Sequence, residues 1–238
     1  MADMLNPNEG KKLEIKTEYG DFLRIPIKTK LVVSGDSLTD ILDESVMPYI
    51  QSGDMVFISE KIVAISQGRC FDIDDIHPSP LAKLLCKFVY KSPYGIGLGS
   101  PWTMELAIRE IGIPKILFAA FCSAVTKPFG KRGVFYNIVG TAGRAIDGPC
   151  DCTIPPYNHC AKLAPKDPDG VAKKLQEHCG CLVAVMDAND IGREVLGVSD
   201  PSLDIEMCKA IFADNPLGQN NQQTPIAIVR RVVSTAQN

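Results

Sequence analysis

Nowhere in the chain do the roughly eighteen consecutive apolar residues of a membrane-spanning helix run together. The longest greasy segment, Ile113 to Val125, is short and carries Pro114 and Lys115. A basic excess is missing too, with 25 Lys and Arg against 28 Asp and Glu, a net charge of −3 and a pI near 5.7. That balance argues against broad binding to nucleic acid or to an anionic membrane, while leaving room for a local basic pocket. No apolar run follows a basic start, so no secretory signal is expected. The cysteines are odd in number, nine, and scattered, which fits reduced thiols better than a disulfide framework. Without repeats or long linkers, the expectation is a soluble, cytoplasmic protein with neither nucleic acid nor membrane as partner.

What is present is ordinary globular material. The 238 residues are 45% hydrophobic and 22% charged, enough to bury a core. Leu13 to Thr17 and Phe22 to Ile27 alternate around Tyr19-Gly20-Asp21, which predicts a hairpin. Ser34-Gly35-Asp36 precedes Leu38, Ile41, Leu42 and Val46 at helical spacing. Met55 to Ile58 reads as a buried strand running into a helix from Ser59-Glu60-Lys61. Helices are expected over Leu81 to Tyr90, Thr103 to Ile111, Val171 to His178 and Leu203 to Phe212. Strands are expected over Ile116 to Val125, Val134 to Val139, Leu182 to Val185 and Pro225 to Arg231. Strands and helices mix, so the fold class is α+β, one domain over residues 1–238 with room for two lobes.

The chemistry concentrates where Leu182 to Val185 runs into Asp187, Asn189 and Asp190, ahead of Gly192 and Arg193. Acids at the exit of a buried strand need a positive partner or a metal, because a desolvated carboxylate is costly. The alternative is an Asx-rich turn. Elsewhere, Asp72, Asp74 and Asp75 lack the glycine and distal glutamate of a calcium hand and read as a solvated turn. The glycines around Tyr94 to Trp102 lack the lysine and Ser/Thr order of a Walker loop. Gly140 to Gly148 carries Arg144 and Asp147, a guanidinium and a carboxylate suited to a phosphate, with a glycine-rich turn as the alternative. Cys150, Cys152, His159 and Cys160 invite a zinc reading, but their spacing departs from the usual pairs, so packing thiols are the default.

Taken in order, RIPIKTKLV with SGDSL, GDMVFISEKIVAISQGR, LAPKDPDGVAKKL, VAVMDANDIGR and PIAIVRR resemble the γ-glutamyl ligases of coenzyme F420, and they span almost the whole chain. The resemblance implies an unusual α+β fold forming an intertwined homodimer. It also implies GTP, with ATP as the alternative, as energy source, Mg²⁺ or Mn²⁺, and an acyl-phosphate intermediate on a carboxylate-bearing metabolite, F420-0-like or folate-like. L-glutamate or another amine then displaces the phosphate. Matched position by position, the nucleotide contact falls on Ile25, Pro26, Ile27 and Lys28, with Glu60, Lys61 and Arg144 as further phosphate or nucleotide contacts. The metal pair falls on Asn189 and Asp190, and the other metal carboxylate on Asp147. Asp187 and Asp190 are the catalytic candidates.

The departures are specific. A lysine that the family carries ahead of Glu-Gly-Arg is replaced here, where Ile65 stands, and Asn189-Asp190 stands where the family has Asp-Thr. Loss of a phosphate counter-charge supports a rival reading, a non-catalytic relative that binds a nucleotide or metabolite as a sensor. A zinc or thiol-redox protein built on Cys150, Cys152 and Cys160 is a third.

Overall fold

The structure is a computed structural model and describes residues 6–89, 97–131, 133–151, 153–189, 192–218 and 221–232. The chain forms two compact units, Met1–Gln67 with Pro165–Asn238, and Gly68–Ala164.

The first unit is built on a six-stranded sheet. Strands β1 (Glu14–Thr17) and β2 (Gly20–Ile27) form the expected hairpin, with Thr17 opposite Gly20. Strand β3 (Met55–Ser59) leads without a break into helix α2 (Glu60–Ser66), whose first turn is capped by the Ser59 hydroxyl accepting from the Lys61 N–H at 3.3 Å. Helix α1 (Leu38–Ser45) lies between these pieces in sequence, and its cap is Ser37 rather than the Ser34 to Asp36 turn. Helix α8 (Pro168–Cys179) precedes β6 (Leu182–Ala188), which turns back as β7 (Arg193–Val198). Helix α9 (Ile205–Ile211) and β8 (Ile226–Val232) complete the unit.

The strand order is β1-β2-β8-β3-β6-β7. Side chains alternate across a pleated strand. Phe22, Phe57, Ala184, Met186, Ala227 and Val229 therefore share one face with Ile211 and Phe212, and Phe57 stacks on Phe212 at 4.8 Å. Val56, Ile58, Val183, Val185, Ile226 and Ile228 are buried on the other face, where α2 and α8 pack on β3 and β6. Burial on both faces explains why the central strands read as unbroken apolar runs.

The topology sets the direction of every strand end. Strand β8 runs antiparallel to both β2 and β3, and β3 runs parallel to β6. Strands β2, β3 and β6 consequently finish at the same edge. There Ile27 lies opposite Ile226, Ile226 opposite Ile58, and Ile58 opposite Val185. The opposite edge is structural. Arg230 grips the fully buried Asp54 carboxylate bidentately, at 2.7 and 2.8 Å.

Gly197 on β7 sits where α8 begins. A Cβ there would lie 2.5 Å from the Pro168 carbonyl carbon and 2.6 Å from the Asp169 nitrogen, both backbone atoms. The Val198 N–H also donates to the Asp169 carboxylate at 2.8 Å, fixing the helix start against the strand. Gly197→Ala must push the backbones apart and is expected to destabilise the protein by about 1–3 kcal/mol. Urea denaturation with an unchanged midpoint would show that no such close approach exists.

The second unit is mostly helical. A short antiparallel pair, β4 (Cys70–Asp72) and β5 (Cys160–Lys162), is packed with α3 (Pro80–Leu85), α4 (Pro101–Ile111), α5 (Ile113–Thr126), α6 (Val134–Val139) and α7 (Thr141–Arg144). Its core holds Leu98, Met104, Leu106, Ile116, Val139, Ile146 and Leu163. Arg69, which closes the GDMVFISEKIVAISQGR stretch, turns its guanidinium to the Ala164 carbonyl and, at 2.7 Å, to Glu110.

Here the expected strands over Ile116 to Val125 and Val134 to Val139 are corrected, because both segments are helices. An apolar run carries no period that separates a strand from a buried helix. Pro114 in the first turn suits a helix start, and fourteen residues is long for a strand. The α3 helix is also shorter than the expected Leu81 to Tyr90, and Tyr90 lies outside the described residues.

Candidate functional site

The sheet edge where β2, β3 and β6 end gathers several of the candidates. Lys28 follows β2 and is exposed, Glu60 and Lys61 open α2 directly after β3, and Asp187 and Asn189 lie at the end of β6. Two lysines, two carboxylates and Asn189 thus reach this edge from three separate stretches of the chain. The mechanism is register, since Ser59 pairs with Met186 and places Glu60 and Asp187 one step beyond the same rung.

Ile25, Pro26 and Ile27 behave differently. All three are buried in β2, with Ile25 2% and Ile27 6% exposed, so their side chains belong to the core. Their contribution to the edge is to aim the chain that carries Lys28. Pro26 is tolerated for a local reason. The Arg24 N–H donates to the Leu13 carbonyl at 2.7 Å, so two residues on the backbone nitrogen faces the same side, past the end of β1, where a missing donor costs no ladder bond.

Glu60 is 3% exposed at the first helical position of α2. A carboxylate is favoured there by the partial positive charge of the helix N-terminus. Ile65, at the position of the absent lysine, is 3% exposed and buried with Ile62, Val63 and Ala64, so no cation replaces that lysine from this side chain.

The turn after β6 joins two strands. The Asn189 N–H donates to the Gly192 carbonyl at 2.9 Å, and the Gly192 N–H donates to Asn189 Oδ1, also at 2.9 Å. Asn189 is therefore an Asx-type turn residue. Strand β7, which this turn creates, went unrecognised because REVLGV alternates weakly and contains glycine. Asp190 lies outside the described residues.

Arg144 and Asp147 belong to the second unit. The Arg144 guanidinium donates to Asn137 Oδ1 at 2.6 Å and to the Tyr136 carbonyl at 3.4 Å, which ties it to α6. Asp147 is exposed and forms a two-way backbone bridge with Lys162, at 3.0 and 2.8 Å. Lys162 is the residue that sequence reasoning missed. It is 3% exposed, its Nζ donates to the Ala145 carbonyl at 3.0 Å, and it lies 3.8 Å from Asp147 Oδ2. A three-residue strand between turns offered no periodicity by which to find it.

The Asp72 loop is a 3-10 turn, capped by the Asp74 N–H donating to Asp72 Oδ1 at 2.9 Å. That bond, with the His159 hydrogen bond and charge, outweighs burial and holds the Asp72 carboxyl below its ordinary range. Strand pairing brings His159 Nδ1 to 3.2 Å from Asp72, so the histidine joins Asp72 and Asp74 rather than the cysteines. Among the described residues, Cys70, Cys86, Cys122, Cys160, Cys179, Cys181 and Cys208 are free thiols, and Cys150 is disulfide-bonded. Cys152 lies outside the described residues. Burial pushes the Cys208 thiol up to about 12 and the Cys181 thiol up to about 11, so neither is a ready nucleophile at neutral pH.

Comparison with known proteins bears on this edge directly. The sequence model of the family described as F420-0:Gamma-glutamyl ligase matches residues 26–193, which takes in Lys28, Glu60, Lys61 and the whole turn after β6. The chain is also similar to the coenzyme F420:L-glutamate ligase of Methanopyrus kandleri, with 33% identity over 161 residues, 68% of this chain and 54% of that protein. The matched part thus spans about half the length of that relative.

Proposed function

Because the chain belongs to the F420-0:gamma-glutamyl ligase family, we propose that it is a ligase that joins glutamate, or a similar amine, to a carboxylate-bearing metabolite at the expense of GTP or ATP. The observation that supports this reading is the shared edge of β2, β3 and β6, along which Lys28, Lys61, Asp187 and Asn189 are carried. In open parallel sheets ligands bind beyond the carboxyl ends of the strands, and β3 and β6 are the parallel pair of this mixed sheet among the described strands.

A carboxylate is a poor electrophile until its oxygen is phosphorylated. An acceptor oxygen attacks the terminal phosphorus, the bond to the nucleoside diphosphate breaks, and an acyl phosphate results. The glutamate nitrogen then attacks the acyl carbon, phosphate leaves, and a carboxylate of the 187–190 turn takes the proton. Lys28 and Lys61 neutralise phosphate oxygens. Asp187, Asn189 and Asp190 offer oxygen donors, the hard set that suits Mg²⁺ or Mn²⁺, and these three would hold the ion. When bound, the metal supplies charge neutralisation on the nucleotide phosphates. A homodimer is part of the same reading. Among the described residues no helix is long and apolar enough to cross a membrane.

The test is a phosphate-release assay with GTP or ATP, Mn²⁺, glutamate and a panel of deazaflavin and folate-type carboxylates. Release is expected only when nucleotide, acceptor and glutamate are all present. A second reading has its own observation, the buried Ile65 in place of a phosphate-binding lysine. It makes the protein a binder without turnover, and tight nucleotide binding by calorimetry with no release over the panel would establish it.

A further inference from the structure

The apolar run that reads as a core strand is helix α5, and its apolar side faces outward. Ile113, Leu117, Phe118, Phe121 and Val125 are 48, 43, 58, 66 and 48% exposed, and Phe129 just beyond the helix is 79% exposed. At about 100° per residue the five helical positions fall within an arc of roughly 140°. Ile116 and Ala119, on the opposite side, are the residues α5 buries in the core of its unit. Scattered exposed apolar residues need no explanation, but a contiguous stripe of this size on one helix does.

Charge decides what covers it. Between Glu110 and Asp147 the sequence has no acidic residue, whereas it has Lys115, Lys127, Lys131, Arg132 and Arg144. The net charge of −3 therefore hides a basic segment set against an acidic remainder. Lys115, Lys127 and Lys131 are exposed; Lys127 and Lys131 follow the C-terminal end of the stripe, whereas Lys115, in the first turn, lies about 60° outside its arc. Apposing two copies of this face would bring two basic segments together, with no acid in either segment to meet the lysines. A surface with an apolar interior and an anionic rim matches both features.

We propose that α5 and the Lys127 to Lys131 turn form a peripheral docking face for an anionic lipid bilayer. The helix lies in the plane of the interface, with Phe118 and Phe121 among the acyl chains and the lysines at the headgroups. At 14 residues, α5 is about 21 Å long, suited to lying on a bilayer and too short to cross it. The inference does not depend on the ligase reading. It reverses the expectation of no membrane contact, which rested on the charge of the whole chain.

The experiment is flotation of the full chain with vesicles of phosphatidylcholine alone and with about 30 mol % phosphatidylserine added. The protein is expected to float with the anionic vesicles and not with the neutral ones, and to dissociate at about 0.5 M salt. Phe118→Glu with Phe121→Glu, and separately Lys127→Glu with Lys131→Glu, should each lower the bound fraction at least about tenfold. Circular dichroism melts should stay unchanged, since these side chains are exposed. No flotation, equal flotation with neutral vesicles, or unaffected variants overturn the proposal. So does light scattering that shows a dimer turned monomer by the phenylalanine pair in a protein that binds no vesicles, because the face would then join two copies.

Discussion

Asp187→Asn is expected to lower glutamate-dependent phosphate release by roughly 10²–10³-fold, the size of effect seen when one preorganised electrostatic group is lost from a reacting centre. The substitution keeps the shape and removes the charge, so kcat/KM should fall. Asp187 is half-buried at the end of β6, one step beyond the rung that joins Ser59 to Met186. Asp190→Ala should abolish turnover for the same reason. Asn189→Asp separates the turn from the metal. It keeps an acceptor for the Gly192 N–H while adding a negative charge, so Mn²⁺ should bind more tightly in calorimetry. Full turnover in Asp187→Asn and Asp190→Ala together would remove the 187–190 turn from the chemistry.

The largest stability effect is expected at Asp214. Arg24 is 1% exposed inside the first unit, and it donates to the Ile211 carbonyl at 2.9 Å, to the Lys12 carbonyl at 2.8 Å, and to both oxygens of Asp214. Asp214→Ala leaves that guanidinium buried without its counter-ion and should cost about 3–5 kcal/mol. Arg24→Met leaves two carbonyls unpaired but frees Asp214, 44% exposed, to meet water, and should cost less, about 1–3 kcal/mol. Equal losses would mean that the buried charge is not what the pair protects. Burial pushes the Asp214 carboxyl up, but the Arg24 hydrogen bond and charge outweigh it and the net direction is down. A depressed carboxyl stabilises above its unfolded value, near 4, and loses that contribution as pH falls through the folded one. Wild type and Asp214→Ala should therefore converge in urea melts taken in acid.

The comparison of sequence with structure divides along range. The β1–β2 hairpin, β3 running into α2, and α8 into β6 were legible because alternation, a capping serine and a proline at the first helical turn are local signals. Ile116 to Val125 was misread because hydrophobicity without a period states that something is apolar and not which way it faces. The three-residue strands β4 and β5 exist only through each other, about 90 residues apart, and their pairing is what brings His159 to Asp72, while a separate backbone bridge sets Lys162 beside Asp147.

The membership of the family, the α+β class and the importance of the stretch after Leu182 were determined by the order of motifs along the chain, since each is a string of neighbouring residues. Which of those residues share a place was decided by strand register. Lys28, Glu60, Lys61 and Asp187 lie along one edge of the sheet because β8 enters between β2 and β3 and runs antiparallel to both, so that three separate strands end on one line. The orientation of α5 was decided in the same way, by the two residues its unit buries and the five it leaves outside. Hydrogen bonds between distant strands and the burial of one helix face over another are properties of the packed chain, and no local pattern encodes them.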